Sequence, residues 1–544
     1  MDICKKFFRN AITFFANPFS KNLPLFAASL PIQFIQLLAL YLLDVHFGAG
    51  LLAGSIAWAY LLTLPQGFSN NKTWRGIYAG VILTLTGLLG LLQLVCAMQF
   101  EEMVYSTHLM LMVNTNPNEA GEFLTTFIDL PLILTALAIL ALTIVLYQAA
   151  RRISRHTTSS TPPHSIHLIL TFLCLLLVAF TSYTKTWFDS GIGRPVWAFI
   201  SLNDFKSYDL ATTQQQFEVE EASDFHTSSI IVIMGESFDK LHSNLYGYNK
   251  NTTPRLSQRE SDSTLVVFSS VKAPAPITNL SIRQMLSLSE SHDDNNWQTR
   301  PMLPTALRKS GYNTMWLSNQ TAVSVFDNAL GQLAQLCDSN LNLTKAHMAM
   351  KSNYDEVVLK PFASYMKGID NNGHNFCFVH LMGSHASYAL RYPERFNHFK
   401  ETDYPDQPEN RRQNFATYDN SILYNDYIVD SLMSISDQAD AIVIYLSDHG
   451  QDFYYTRDMA THGRIGNPES FEAGCRIPFM IYFTEKFRQN HPETIAKIRK
   501  FTDKEFNGCY LMNTVMELAG YDITGADLFK NSLFGGEIAG RQTE

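Results

Sequence analysis

Five apolar stretches crowd the first third of this chain, at 25–43, 48–64, 77–98, 128–147 and 166–183. A helix crossing a bilayer needs about 20 consecutive apolar residues, and each stretch approaches or meets that length. A single run of this kind could be the core helix of a soluble protein. Five in succession are poorly explained that way. The stretch at 48–64 is the shortest, and reading it as a buried helix would leave an even number of crossings. Beyond residue 183 the composition becomes that of an ordinary soluble domain. The expected architecture is therefore an α-helical transmembrane domain of five spans over 1–183, a connector over 184–227, and an α/β extracytoplasmic domain over 228–544 with a mainly parallel sheet.

Positive charge sets the orientation. Lys5, Lys6, Arg9 and Lys21 precede or open the first span, Lys72 and Arg75 separate the second from the third, and Arg151, Arg152 and Arg155 separate the fourth from the fifth. The alternate segments, around Asp44 and over 101–129, carry no Lys or Arg. Lys and Arg accumulate on the cytoplasmic side, so the N-terminus is expected inside and the large C-terminal domain outside. No cleavable signal is apparent, because further spans follow the first directly. The net charge of −9 gives no basis for a nucleic-acid partner. Seven cysteines without a CxxC pair argue against a thiolate zinc site. They leave room for one or two bridges among Cys337, Cys377, Cys475 and Cys509. The connector, glutamine-rich at 214–216 and acidic at 218–221, reads as a solvated linker with short surface helices.

In the polar part, two short apolar runs end in chemistry. Residues 230–234 lead into Gly235-Glu236-Ser237, and residues 441–446 lead into Ser447-Asp448-His449-Gly450. Continuous apolar runs of this length fit strands buried on both faces. Open α/β sheets build their sites at the carboxyl ends of such strands. Further strands are expected at 314–317, 376–381 and 478–483, with helices over 301–310, 355–367 and 418–434. Glu236, Asp448 and His449 would then supply three ligands to one divalent ion. Asp448-His449-Gly450 alone could be a surface turn; a glutamate after a second strand argues for a centre. Thr278 follows the stiff segment Ala273-Pro-Ala-Pro-Ile277 and opens a segment of helical spacing. It reads as a helix N-cap, as a nucleophile activated by metal and helix end, or as both; Ser281, one turn on, is a lesser candidate. His385, after the strand at 376–381, and His462, after Asp448, could ligate a second metal or contact a phosphoryl group.

Taken together, these motifs resemble the alkaline-phosphatase/sulfatase superfamily and, within it, the bacterial phosphoethanolamine transferases. The matching order is Gly235-Glu-Ser237, Leu245-Tyr-Gly-Tyr248 with Asn251-Thr-Thr-Pro254, Thr278, Met382-Gly-Ser-His385 with Arg391-Tyr-Pro393, and Ser447-Asp-His-Gly450. The resemblance implies that Glu236, Thr278, Asp448 and His449 hold a catalytic zinc ion, and that Thr278 is transiently phosphoethanolaminylated. It implies that His385 and His462 contact the phosphoryl group. Phosphatidylethanolamine would be the donor and lipopolysaccharide the acceptor, in the bacterial inner membrane with a periplasmic catalytic domain. Thr115 and Glu119, in Thr115-Asn-Pro-Asn-Glu119, match a family segment that helps bind a lipid substrate, although Leu111 stands where an asparagine is common. Trp316-Leu-Ser-Asn-Gln320 and Tyr354-Asp-Glu-Val-Val-Leu-Lys-Pro361 are similar to the branch that modifies the lipopolysaccharide inner core, often on heptose. Asp-His-Gly-Gln451 replaces the usual Asp-His-Gly-Glu. A lipid A phosphoethanolamine transferase, a phosphoglycerol transferase and a non-catalytic membrane scaffold are the alternative readings.

Overall fold

The computed structural model describes residues 2–42, 49–100, 103–104, 109, 128, 130–156, 165–184, 186–201, 213–289, 297–321, 329–344, 353–369, 373–464 and 466–540. These fall into two compact units, one from residues up to 206 and one from 207 onward. Thr115, Glu119 and Leu111 lie outside the described residues.

Among the described residues of the first unit, four helices are long and apolar enough to cross a membrane: Ala49–Phe68, Lys72–Met98, Leu130–Ile153 and Ser165–Tyr183. The first expected span differs. It forms two shorter helices, Leu23–Gln33 and Ile35–Leu42, that meet at Phe34. Pro31 sits inside the first of them, where it has no N–H for the helical ladder. Leu25, Ile32, Ala79, Leu83, Ile139 and Ala150 pack into a shared core. Leu134, Leu137, Val145, Ile166 and Phe172 point outward, as side chains facing hydrocarbon would.

The second unit is built on a seven-stranded sheet. In chain order its strands are β1 (Ser229–Gly235), β2 (Leu265–Phe268), β3 (Tyr312–Thr321), β4 (Ser339–Thr344), β5 (His374–His380), β6 (Ala441–Ser447) and β7 (Phe479–Phe483). Their spatial order is β2-β7-β6-β1-β5-β3-β4. The five strands from β6 to β4 are mutually parallel, whereas β7 runs antiparallel to both β6 and β2. The sheet is therefore mixed, with a parallel majority. The strand expected at 478–483 is present as β7, and its antiparallel direction could not be read from the sequence because apolar runs carry no record of direction.

Central β1 is buried along its whole length and alternates between two cores. Ile230, Val232 and Met234 join Trp316, Phe376 and Phe378 on one face. Ile231 and Ile233 join Phe362, Tyr418 and Ile422 on the other. Helices thus cover both sides, which is why β1 and β6 lack an inside–outside alternation.

The connector is not wholly solvated. Gln214 is buried, donating from Nε2 to Arg300 O at 2.8 Å and accepting from Met302 N at 2.9 Å. A short strand, Val219–Glu221, pairs antiparallel with Tyr521–Ile523. Cys174, Cys337, Cys377, Cys475 and Cys509 are all buried free thiols.

One side chain ties the long helix α2 (Glu409–Ser436) to the loop after β1. The Tyr418 hydroxyl donates to Ser237 O at 2.7 Å and accepts from Asp239 N at 2.9 Å. Tyr418→Phe is expected to leave both groups unsatisfied and to cost about 1–3 kcal/mol. A lowered unfolding midpoint at unchanged helix content is the measurement that checks it.

Candidate active site

Pairing in the sheet dictates the site. Gly235 of β1 lies opposite Ser447 of β6, so Glu236 and Asp448 emerge side by side at one edge. Both carboxylates are fully buried. Asp448 Oδ1 accepts from Ser237 N at 3.0 Å and His449 N at 2.7 Å, while Oδ2 has no donor among the described residues. Glu236 accepts from Ser237 Oγ at 2.8 Å and Gln320 Nε2 at 2.9 Å. Ser237 adopts φ 57°, a left-handed conformation that costs about 1–3 kcal/mol in a non-glycine residue. Its N–H, hydroxyl and carbonyl are all hydrogen-bonded, which holds it there.

His449 completes the cluster. Its Nδ1 lies 2.6 Å from Gly450 O; a carbonyl only accepts, so Nδ1 carries a proton, and in the neutral ring the Nε2 lone pair is the one left for a metal. That Nε2 lies 3.3 Å from Glu236 Oε1 and 3.4 Å from Asp448 Oδ2. Thr278 opens helix α1 (Thr278–Met285), with Ile277 as the cap residue. The N-cap reading therefore shifts by one residue. The Thr278 hydroxyl instead faces the cluster, at 3.2 and 3.3 Å from the Glu236 oxygens and 3.3 Å from His449 Nε2. Ser281 is buried and donates to Asp448 O, a supporting contact that removes it as a nucleophile.

These separations have a simple meaning. Tetrahedral zinc with bonds of about 2.0 Å holds its ligands about 3.3 Å apart. The orphaned Asp448 Oδ2 points into the same space. The residues present fit a divalent ion.

The charges agree. Burial raises both carboxyls, but contact with His449 outweighs it at Glu236, which is held well below the usual range. At Asp448 burial and the Glu236 charge act together and push it up. Burial opposes the charge on His449, yet the two carboxylates outweigh it and raise its pKa. Two anions and one imidazole are in tension, and a cation would relieve it.

His462 lies beside His449, ring centroids 4.7 Å apart, and His385 beside His462 at 6.5 Å. Glu236, His449 and His462 each offer a ligand atom within 4.8 Å of the others. Mainly through burial, His385 is pushed down to about 4 and His462 to about 3. Both are neutral imidazoles at neutral pH.

Two contributors lie in segments quoted above only for their resemblance, with no site role read from either residue. Gln320, near the end of β3, donates to Glu236 and, at 3.0 Å, to Leu381 O. Asp355 is a buried carboxylate that accepts from Asn319 Nδ2 at 2.9 Å and from the Met382 and Gly383 N–H groups, each at 2.8 Å. It fixes the turn leading to His385, and Arg391 braces the far side through Ala386 O at 2.7 Å. A carboxylate in a sequence does not announce which turn it caps. The Leu245–Tyr248 motif serves the fold: Tyr246 donates to Phe479 O at 3.1 Å and Tyr248 to Asp419 at 2.8 Å.

The sulfatase family model matches residues 228–521, more than half of the chain. The chain belongs to the sulfatase family. Within that family it is similar to phosphoethanolamine transferase EptC of Escherichia coli strain K12, at 27% identity over 482 residues that cover 82% of this chain and 80% of that one. It is likewise similar to phosphoethanolamine transferase CptA of Salmonella typhimurium, at 28% identity over 474 residues, 82% and 80% of the two chains. The solved C-terminal periplasmic domain of Escherichia coli EptC in complex with Zn superimposes with a TM-score of 0.52 at 26% identity, over 60% of this chain and 91% of that one. The integral membrane lipooligosaccharide phosphoethanolamine transferase A of Neisseria meningitidis shares the fold, with a TM-score of 0.61 at 16% identity over 97% of each chain.

One glycine in this sulfatase-family site has no room for a side chain. Gly383 has φ +50°, and a Cβ there would sit 2.8 Å from both the backbone N and O of Glu236. Gly383→Ala is expected to displace the Glu236 loop and to weaken the binding of an added divalent ion by about ten-fold or more. Gly247→Ala is the comparison: φ is +91° with nothing within 4 Å of the added carbon, so only backbone strain of about 1 kcal/mol is expected. Zinc content after dialysis and unfolding midpoints separate the two.

Proposed function

We propose that the protein is a zinc-dependent phosphoethanolamine transferase that modifies lipopolysaccharide at an inner-core sugar such as heptose, with phosphatidylethanolamine as donor. One observation carries this reading: the hydroxyl of Thr278, itself partly exposed, lies 3.2–3.3 Å from Glu236 and His449 atoms that are spaced as zinc ligands. The phosphoethanolamine transferases among its relatives, and the Zn complex of one of them, support the substrate class and the metal.

Glu236, Thr278, Asp448 and His449 would hold the ion, with His462 close enough to join them or to serve a second. Bound there, zinc would lower the pKa of the Thr278 hydroxyl and offset charge on the phosphoryl oxygens. In the first half-reaction a bond forms between Thr278 Oγ1 and phosphorus, and the bond from phosphorus to the diacylglycerol oxygen breaks. The threonine proton ends on the departing diacylglycerol hydroxyl. In the second, an acceptor hydroxyl oxygen bonds to phosphorus, the Thr278–phosphorus bond breaks, and the acceptor proton returns to Thr278. Neutral His385 and His462 can each donate a ring N–H to the phosphoryl oxygens. Neither half-reaction consumes a nucleotide, which suits a compartment without ATP.

A membrane domain over 1–183 with five spans, the first made of the two short helices between 23 and 42, would place the N-terminus in the cytoplasm. The connector over 184–227 and the catalytic domain over 228–544 would then face the periplasm, beside the outer leaflet where the donor resides. Thr115 and Glu119 would help bind a lipid substrate.

Purified protein in vesicles containing fluorescent phosphatidylethanolamine is expected to release diacylglycerol and to accumulate an adduct on Thr278 with the mass of phosphoethanolamine. Thr278→Ala should abolish both, and chelation of zinc should abolish release by the wild type. An adduct with the mass of phosphoglycerol would establish the rival transferase. Release that survives Thr278→Ala would refute the nucleophile.

A further inference from the structure

The membrane unit contains a cavity of about 300 Å³ that the transfer chemistry does not use. It opens where several helices begin or end. Lys72 and Arg75 line it from the first turn of Lys72–Val95, and Arg151 from the last turns of Leu130–His156. Leu25, Ile77 and Tyr147 form an apolar wall. No carboxylate is among the described residues that line it.

The three cations are prepared differently. Arg75 is fixed: its Nη2 donates to Lys21 O at 3.0 Å and to Asn22 Oδ1, and its own carbonyl accepts from Gln66 Nε2 at 2.9 Å. Its Nε and Nη1 have no acceptor among the described residues. Lys72 and Arg151 are exposed, and neither has a hydrogen-bond or ion-pair partner among the described residues. Three converging positive charges without a counter-charge repel one another, so the site favours an anion. A free anion would satisfy the charge but leave the apolar wall unused. Ile77, the large apolar residue beside the cations, is itself exposed, and it continues the cavity toward the outward-facing apolar surface of the helices.

We infer that this cavity binds the headgroup of an anionic phospholipid, its phosphodiester held by Lys72, Arg75 and Arg151 and the start of its acyl chains lying along Leu25 and Ile77. Basic pockets between spanning helices recognise such headgroups on the cytoplasmic side. These three cations belong to the segments that the charge distribution assigns to the cytoplasm. The lipid would sit in the leaflet opposite the proposed donor, and it would lock the helix ends together rather than take part in transfer. The inference rests on the membrane reading of these helices and is independent of Thr278.

The test uses the full chain in detergent, with bound lipid counted by native mass spectrometry. Phosphatidylglycerol is expected to be retained under conditions that strip phosphatidylethanolamine from this cavity. Each charge removed should weaken retention about five-fold, so Lys72→Gln with Arg151→Gln should lower it about 25-fold. Arg152→Gln removes a neighbouring charge that does not line the cavity and should leave retention unchanged, as should Thr278→Ala. Neither Lys72 nor Arg151 has a partner to lose among the described residues, so folding should survive, and an unchanged unfolding midpoint of the lipid-free double variant confirms it. Three results would overturn the inference: a double variant that retains phosphatidylglycerol like the wild type, Arg152→Gln as damaging as Arg151→Gln, or full displacement of the lipid by inorganic phosphate. The last would identify a free-anion site.

Discussion

Two carboxylates forced together inside the protein govern this structure. Glu236 and Asp448 lie fully buried at the ends of paired parallel strands, and there are too few donors to satisfy them, as the bare Asp448 Oδ2 records. Adjacent buried anions repel, and one of them retains its proton unless a cation is supplied. The rest of the site reads as the answer to that repulsion: an imidazole oriented by Gly450 O, a threonine hydroxyl brought in by a helix start, and a second imidazole behind the first.

Holding that arrangement requires strain and support elsewhere. Ser237 is kept in a left-handed conformation, and Gly383 presses against the Glu236 backbone with a positive φ of its own. Tyr418, Gln320 and Asp355 reach in from three different elements to brace those loops. The sheet matters because it is stiff. Five parallel strands, of which the central β6, β1 and β5 are buried almost throughout, present one edge on which loops from distant parts of the chain meet with little freedom. The first unit answers a different demand, with four helices among the described residues long and apolar enough to cross a membrane.

Much of this was legible in the residues. The apolar runs at 230–234 and 441–446 are long enough for strands and too evenly apolar to have a wet face, so buried strands followed directly, and the acids after them marked the edge. Five apolar stretches identified the helical half. Elsewhere the same kind of reading fell short for identifiable reasons. The run at 478–483 is a strand, but antiparallel, because direction depends on how the chain returns. Leu265–Phe268 and Ser339–Thr344 were missed, being short or too polar to stand out. Pro31 and the break at Phe34 divide the first apolar stretch into shorter helices. Gln214, polar and in a polar stretch, is buried because two backbone groups of a distant segment pair with its amide.

The sequence by itself marked Glu236, Asp448 and His449 as groups that follow buried strands and Thr278 as the start of a helical segment, since residue chemistry and local pattern are properties of a segment. Only the tertiary structure decided that their atoms stand 3.2–3.4 Å apart. It alone decided that Gln320 and Asp355 hold them there, and that Lys72, Arg75 and Arg151 converge on one cavity. Distances between residues hundreds of positions apart are set by strand pairing and helix packing, and no single segment encodes either.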